Sequence, residues 1–133
     1  MVTREITLIK KERPFTRDAR EGLQWLLESM GIPERFVKEY AEILIRIARK
    51  GDDERLSTSA LAEELGEKRT SLSYHINRMV AMGLITREGR SLCLRASNFE
   101  RTVEEIERDI LRIFEDLKRV AREIDELLGL PRR

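Results

Sequence analysis

The sequence predicts a mostly α chain with one small β-hairpin, an α+β fold class, on three observations. Residues 56–95 read as a short helix, a turn, a second helix and a two-stranded hairpin; two amphipathic helical patterns precede them; and residues 99–127 carry an unbroken heptad repeat. A length of 133 residues suits a single integrated domain over 1–133. Within it, residues 1–55 form an N-terminal arm and helices, 56–96 a helix-turn-helix with a hairpin wing, and 97–129 a long coiled-coil-like helix.

At the N-terminus, residues 5–10 (Glu-Ile-Thr-Leu-Ile-Lys) suit a short strand or an ordered arm, ended by Pro14 and followed by a capping residue at Thr16. The next helix places Ala19, Leu23, Leu26, Leu27 and Met30 on one side, and Gly31-Ile32-Pro33 breaks it. Pro33 fits the first turn of a second helix, which extends to about Lys50 with Val37, Tyr40, Ala41, Leu44, Ile47 and Ala48 on its apolar side. Gly51-Asp52-Asp53-Glu54 is a polar connection into the central motif.

That motif begins with a helix over 59–65, whose Leu61, Ala62 and Leu65 share a face, closed by Gly66 in a left-handed C-cap. The second helix covers Arg69–Met82, anchored by Leu72, Ile76, Met79 and Val80. Opposite that face stand Thr70, Ser71, Tyr74, Asn77 and Arg78, a row of hydroxyl, amide and guanidinium groups suited to base edges and phosphates in a major groove. An exposed Tyr74 in such a row has no packing role. Residues 84–87, a Glu88-Gly89-Arg90 turn and residues 91–95 form the hairpin, with Leu92 and Leu94 alternating against Cys93 and Arg95. Arg87, Arg90 and Arg95 line or flank this wing, where charges reach backbone phosphates.

The segments Leu61-Ala62-Glu63-Glu64-Leu65-Gly66, Leu72-Ser73-Tyr74-His75-Ile76 and Met82-Gly83-Leu84-Ile85 resemble winged helix-turn-helix transcription regulators of the MarR and ArsR type over roughly forty residues. The resemblance implies a sequence-specific regulator of double-stranded DNA, repressor or activator, with base reading by Arg69, Thr70, Ser71, Tyr74 and Asn77 or Arg78. It assigns phosphate contacts to Lys68 and the wing arginines. After the glycine, the family pattern has a small aliphatic and then a capping Ser or Thr; here Glu67 and Lys68 stand instead. That departure moves the expected N-cap to Thr70 or Ser71 and shortens the recognition helix by a turn.

Charge bears on the same reading. The chain holds 26 Lys and Arg against 25 Asp and Glu, a formal net charge of +1. Distribution matters more than the total, and residues 67–95 contain Lys68, Arg69, Arg78, Arg87, Arg90 and Arg95 against only Glu67 and Glu88. The acids collect in residues 100–126, interleaved with Lys and Arg. A charged content of 38% with a single Cys is a thermophile-like composition.

In the C-terminal segment, Phe99, Val103, Ile106, Ile110, Ile113, Leu117, Val120, Ile124 and Leu127 alternate steps of four and three. Ser97 or Asn98 caps the start, and Gly129 with Pro131 ends it. A helix of this length spans roughly 45 Å, more than one short winged unit covers, so these residues are assigned to a homodimer interface. Phe114, Ala121 and Leu128 widen the stripe and suggest a further contact; folding back on the N-terminal helices is the intrachain alternative.

Several readings are set aside. One Cys and one His exclude an intrachain disulfide and a four-ligand zinc site made only of those residues, so no metal or other cofactor is expected. No phosphate-binding glycine loop, nucleophile elbow or paired-histidine motif is present, so no enzyme is expected. His75 is read as a surface or half-buried histidine beside the outward face, Cys93 as inert, Trp25 as a core or interface aromatic, and 10–13 as a solvated charge run or a backbone-tracking arm. With no signal-peptide pattern or membrane span, a cytoplasmic place is expected.

A homodimer would set its recognition helices in successive major grooves about 34 Å apart. RNA polymerase or a basal transcription factor is the further partner expected of an activator. The competing reading is a winged-helix interaction or scaffold module that dimerises through its last helix without touching DNA.

Overall fold

A computed structural model describes residues 3–132. Five helices and one hairpin follow in the order α1 (Ala19–Ser29), α2 (Glu34–Ala48), α3 (Thr58–Leu65), α4 (Arg69–Met82), β1 (Ile85–Glu88), β2 (Ser91–Leu94) and α5 (Phe99–Leu128). The mostly helical class with a hairpin wing and a long last helix is as the sequence predicts.

Local chemistry explains where the elements start and stop. Asp18, rather than Thr16, caps α1 by accepting from the Arg20 and Glu21 amides. Thr16 instead accepts from the Asp18 amide and donates to Glu21. Ser57 caps α3 through the Ala60 amide, and Asn98 caps α5 through that of Arg101. Gly66, Gly83 and Gly129 end α3, α4 and α5 in the left-handed conformation. At Gly83 space is limiting as well, because a Cβ there would lie 2.6 Å from an Arg95 guanidinium nitrogen.

The core gathers Leu27, Tyr40, Ile43, Leu44, Ile47, Leu61, Leu72, Ile76 and Met79, all essentially solvent-free, between α1, α2, α3 and α4. Leu84, Ile85 and Leu92 extend it beneath the wing. The hairpin pairs Ile85 with Leu94 and Glu88 with Ser91 in antiparallel register. Leu56 joins its other edge, since the Leu92 amide donates to the Leu56 carbonyl at 2.8 Å and the Leu56 amide donates to Ser91 Oγ. This edge pairing fixes the wing against the start of α3.

Residues 5–10 form an arm, not a strand. Among the described residues, two of its backbone amides are tied: Glu5 donates to Ala81 at the end of α4, and Ile9 donates to Ser29 at the end of α1. Trp25 Nε1 donates to the Glu12 carbonyl, so the half-buried indole pins the following turn of chain. Lys11, part of the basic run, pairs with Glu28.

The heptad residues of α5 divide into two groups. Ile106 is buried, and Phe99 and Ile110 pack half-buried against the same core, so these three are intrachain core residues and not a free interface. Asp109 lies beside them. Its carboxylate accepts from Arg95 at 2.5 and 3.0 Å and from Arg4 Nε at 2.9 Å, and Arg4 also donates to the Val80 carbonyl. The arm, the end of α4, the wing and α5 therefore meet at one buried carboxylate. Val103, Ile113, Leu117, Val120, Ile124 and Leu127 remain exposed, joined by Leu111, Phe114 and Leu128. From residue 111 to 128 every side chain but that of Asp125 is exposed.

Candidate nucleic-acid interface

The recognition helix runs its full length from Arg69, so the expected shortening by a turn does not occur. Lys68 occupies the N-cap in an extended conformation without a side-chain bond to the helix amides. The Leu72 amide bonds to the Lys68 carbonyl, and the turn is held from the other side by the Glu67 amide donating to Ala62. The helix therefore starts without a side-chain cap, and Arg69, Thr70 and Ser71 at its start are all exposed, with their amides open to water.

Along the helix, Tyr74 is 61% exposed and lies edge-on to His75, while Asn77 is exposed one turn further on. Wing and helix are joined here, since Arg87 Nη2 donates to Asn77 Oδ1 at 2.6 Å. Arg90 stands exposed at the hairpin tip next to Gly89, whose φ of 62° allows the tight turn. Lys68, Arg69, Thr70, Ser71, Tyr74, Asn77, Arg87 and Arg90 are thus all solvent-facing on α4, its entry turn and the wing. On the wing strands themselves the one carboxylate is Glu88.

Two of the expected contacts lie elsewhere. Arg95 is not on the wing surface: its guanidinium is 13% exposed and turned inward onto Asp109. The pairing holds the Asp109 carboxyl below the usual carboxylate range. Arg78 is half-buried, with Nη2 3.5 Å from the Gly31 carbonyl, and with Asn77 it lines a groove of about 330 Å³ against Glu5 and Thr7 of the arm. The arm as a wall of this groove has no signature in the sequence beyond its alternating pattern.

His75 is buried, not at the surface. Its Nδ1 is 2.7 Å from Tyr40 Oη, and its ring packs against Phe36 and Tyr40. Burial lowers its pKa below 6.5; Glu67 pulls it up and Arg78 pushes it further down. Glu39 lies 3.9 Å from Nε2, too far for a hydrogen bond. One Glu39 oxygen is buried without a partner among the described residues, and burial, then the nearby Glu67, raises the Glu39 pKa. The helix-turn-helix corner thus carries an imidazole that gives up its proton more readily than usual near a carboxyl that holds its own more tightly.

As His75 is the sole histidine, its imidazole resonances report this site directly. A titration midpoint below 6.5 is expected in the folded protein. Folded-state depression means the unfolded chain binds more protons in that interval, so stability falls as pH drops below 6.5. A midpoint above 6.5 would show that the Glu67 carboxylate outweighs burial.

No group of His, Cys, Asp or Glu among the described residues is arranged to hold a metal ion, and no described helix is long and apolar enough to cross a membrane. The family model that matches is that of the MarR family, over residues 39–91, from the middle of α2 to the start of β2. No curated protein and no solved structure matches the chain.

Proposed function

With residues 39–91 carrying a MarR-family winged helix, we propose that the chain is a sequence-specific regulator of transcription that binds double-stranded DNA as a homodimer. The observation that carries this reading is the exposed row of Arg69, Thr70, Ser71 and Tyr74 on a helix whose opposite face is immobilised by Leu72, Ile76 and Met79. A rigid helix can present hydrogen-bonding groups to base edges at little further ordering cost.

Each residue type has its part. Arg69, Thr70, Ser71 and Tyr74 face the bases, with Asn77 behind them; Lys68, Arg87 and Arg90 neutralise phosphates and set the register. The Arg87–Asn77 bond keeps the wing arginine over the helix until phosphate competes for it. Arg95 is left out, because it is committed to Asp109, and Arg78 is at most an edge contact. The exposed second half of α5 pairs two copies, so that two reading heads act on one duplex. The position of the binding site relative to a promoter then decides between repression and activation.

A selection from random duplexes followed by polarisation titrations at two salt concentrations tests this. Arg69→Ala or Tyr74→Ala is expected to relax base preference by about 1–3 kcal/mol per half-site at the affected position. Arg87→Ala or Arg90→Ala should weaken binding to every sequence and reduce the salt slope by about one for each phosphate no longer neutralised. No retention of any duplex at low salt would favour the scaffold reading, in which the winged unit docks proteins.

A further inference from the structure

We propose that the exposed half of α5 pairs with a second copy of this chain in antiparallel sense, the two helices crossing near Ala121. The inference rests on the homodimer reading and adds to it the direction of pairing.

The stripe is too wide for one narrow seam. Ile113, Leu117, Val120 and Ile124 follow one heptad register, while Phe114, Leu117, Ala121, Ile124 and Leu128 follow a second that shares two of those residues. Most of these side chains are exposed on the single chain, Phe114 at 52% and Leu128 at 68% among them. The apolar faces of α1 and α2 are already buried in the core, which leaves α5 itself as the element of matching period.

Charge decides the direction. On one flank of the stripe the helix carries Asp116 and Glu123, and on the other Lys118 and Asp125. In a parallel pair, each residue stands level with its own copy. With the first register at the seam, the acidic flank then faces the partner's Ala121 and Leu128; with the second, Lys118 and Asp125 face the partner's Ile113 and Val120, so in either case charge meets apolar side chains. An antiparallel pair centred near Ala121 instead runs Ile113 and Phe114 alongside the partner's Leu127 and Leu128, and Leu117 alongside the partner's Ile124. With the second register at the seam, where like flank faces like flank, it also sets Lys118 beside the partner's Asp125, twice by symmetry, while Asp116 and Glu123 lie beyond the flank in water. Apolar meets apolar across the whole width.

The consequence is a spacer. At 1.5 Å per residue, the two Ile106 side chains that anchor α5 to its own heads would lie about 44 Å apart along the helices. The heads then do not touch, and the length of α5 sets their separation.

The test uses the full chain with Cys93→Ser and a nitroxide at Arg108→Cys, an exposed position outside the stripe. Dipolar spectroscopy is expected to give a label distance of about 40 Å, from the axial offset and an interaxial distance of about 10 Å. A distance of about 30 Å or less would overturn the antiparallel pairing and leave the homodimer standing. A monomer by sedimentation, without dipolar coupling, would remove the homodimer itself. Independently, Lys118→Asp should raise the dimer dissociation constant about ten-fold, and adding Asp125→Lys should restore it. Failure of the second change to restore it would also overturn the direction assigned here.

Discussion

Leu117→Asp is expected to leave a folded monomer that binds a two-half-site duplex at least about 100-fold more weakly than the unaltered chain. Leu117 sits where both heptad registers of α5 overlap and is 56% exposed on the single chain, so the substitution removes little from the intrachain core. Across a helix pair, by contrast, it would bury a carboxylate among leucines and isoleucines without a cation, and dissociation is the less costly outcome. Once the heads are unlinked, the second half-site no longer benefits from its effective concentration, commonly worth a factor of about 10² to 10⁴. Sedimentation equilibrium reports the mass and polarisation the affinity. A dimer of unchanged stability would show that the stripe is not the interface.

Asp109→Ala is expected to cost about 3 kcal/mol of stability, because it leaves the Arg95 guanidinium buried without its carboxylate and frees Arg4 from α5. For a chain of this size that lowers the midpoint of thermal unfolding by about 10 °C. The depressed Asp109 pKa gives the same interaction a pH signature. Its contribution is fully present above the unfolded value near 3.8 and is lost as pH falls through the lower folded value, so the variant's deficit should shrink in strong acid. Asp109→Leu combined with Arg95→Met should recover much of the loss, since an apolar pair leaves no orphaned charge. If Asp109→Ala unfolds at the same temperature as the unaltered chain, the junction is not structural. Because this carboxylate joins α5 to the wing and the arm, the variant should also bind a two-half-site duplex relatively worse than a single half-site.

The recognition helix shows how far periodicity reaches. Leu72, Ile76 and Met79 define its buried face, and the outward position of Thr70, Ser71, Tyr74 and Asn77 follows from the helical repeat. His75 is legible on the same basis, standing three residues after Leu72 and four before Met79, yet its polar ring points a sequence reading to the surface. The Tyr40 hydroxyl, far away in sequence, is what makes its burial tolerable. Lys68 shows the converse. A capping residue is expected after the turn, but the helix starts from Lys68 without any side-chain cap, its first amides being exposed to water.

Arg95 and α5 mark the boundary between local and tertiary information. An arginine after the wing and a helix aspartate form an ion pair because β2 and α5 converge beside Gly83, where a Cβ would crowd the guanidinium, and such convergence has no period in the sequence. Likewise the heptad runs without a break from Phe99 to Leu127, although Phe99, Ile106 and Ile110 serve the core of their own chain and the later positions face solvent. Periodicity reports that a helix face is apolar, not what covers it.

By itself, then, the sequence determined the helices and hairpin, the glycine ends of α3, α4 and α5 and the outward row of the recognition helix, because those depend on residues within a few turns of one another. The tertiary structure decided which charges remain free for a polyanion, withdrawing Arg95 and half-burying Arg78 while leaving Lys68, Arg69, Arg87 and Arg90 in water. It also divided the last helix into an anchored half and an open one. Both decisions turn on the competition between burial and solvation at sites where distant segments meet, and only the assembled chain brings those segments together.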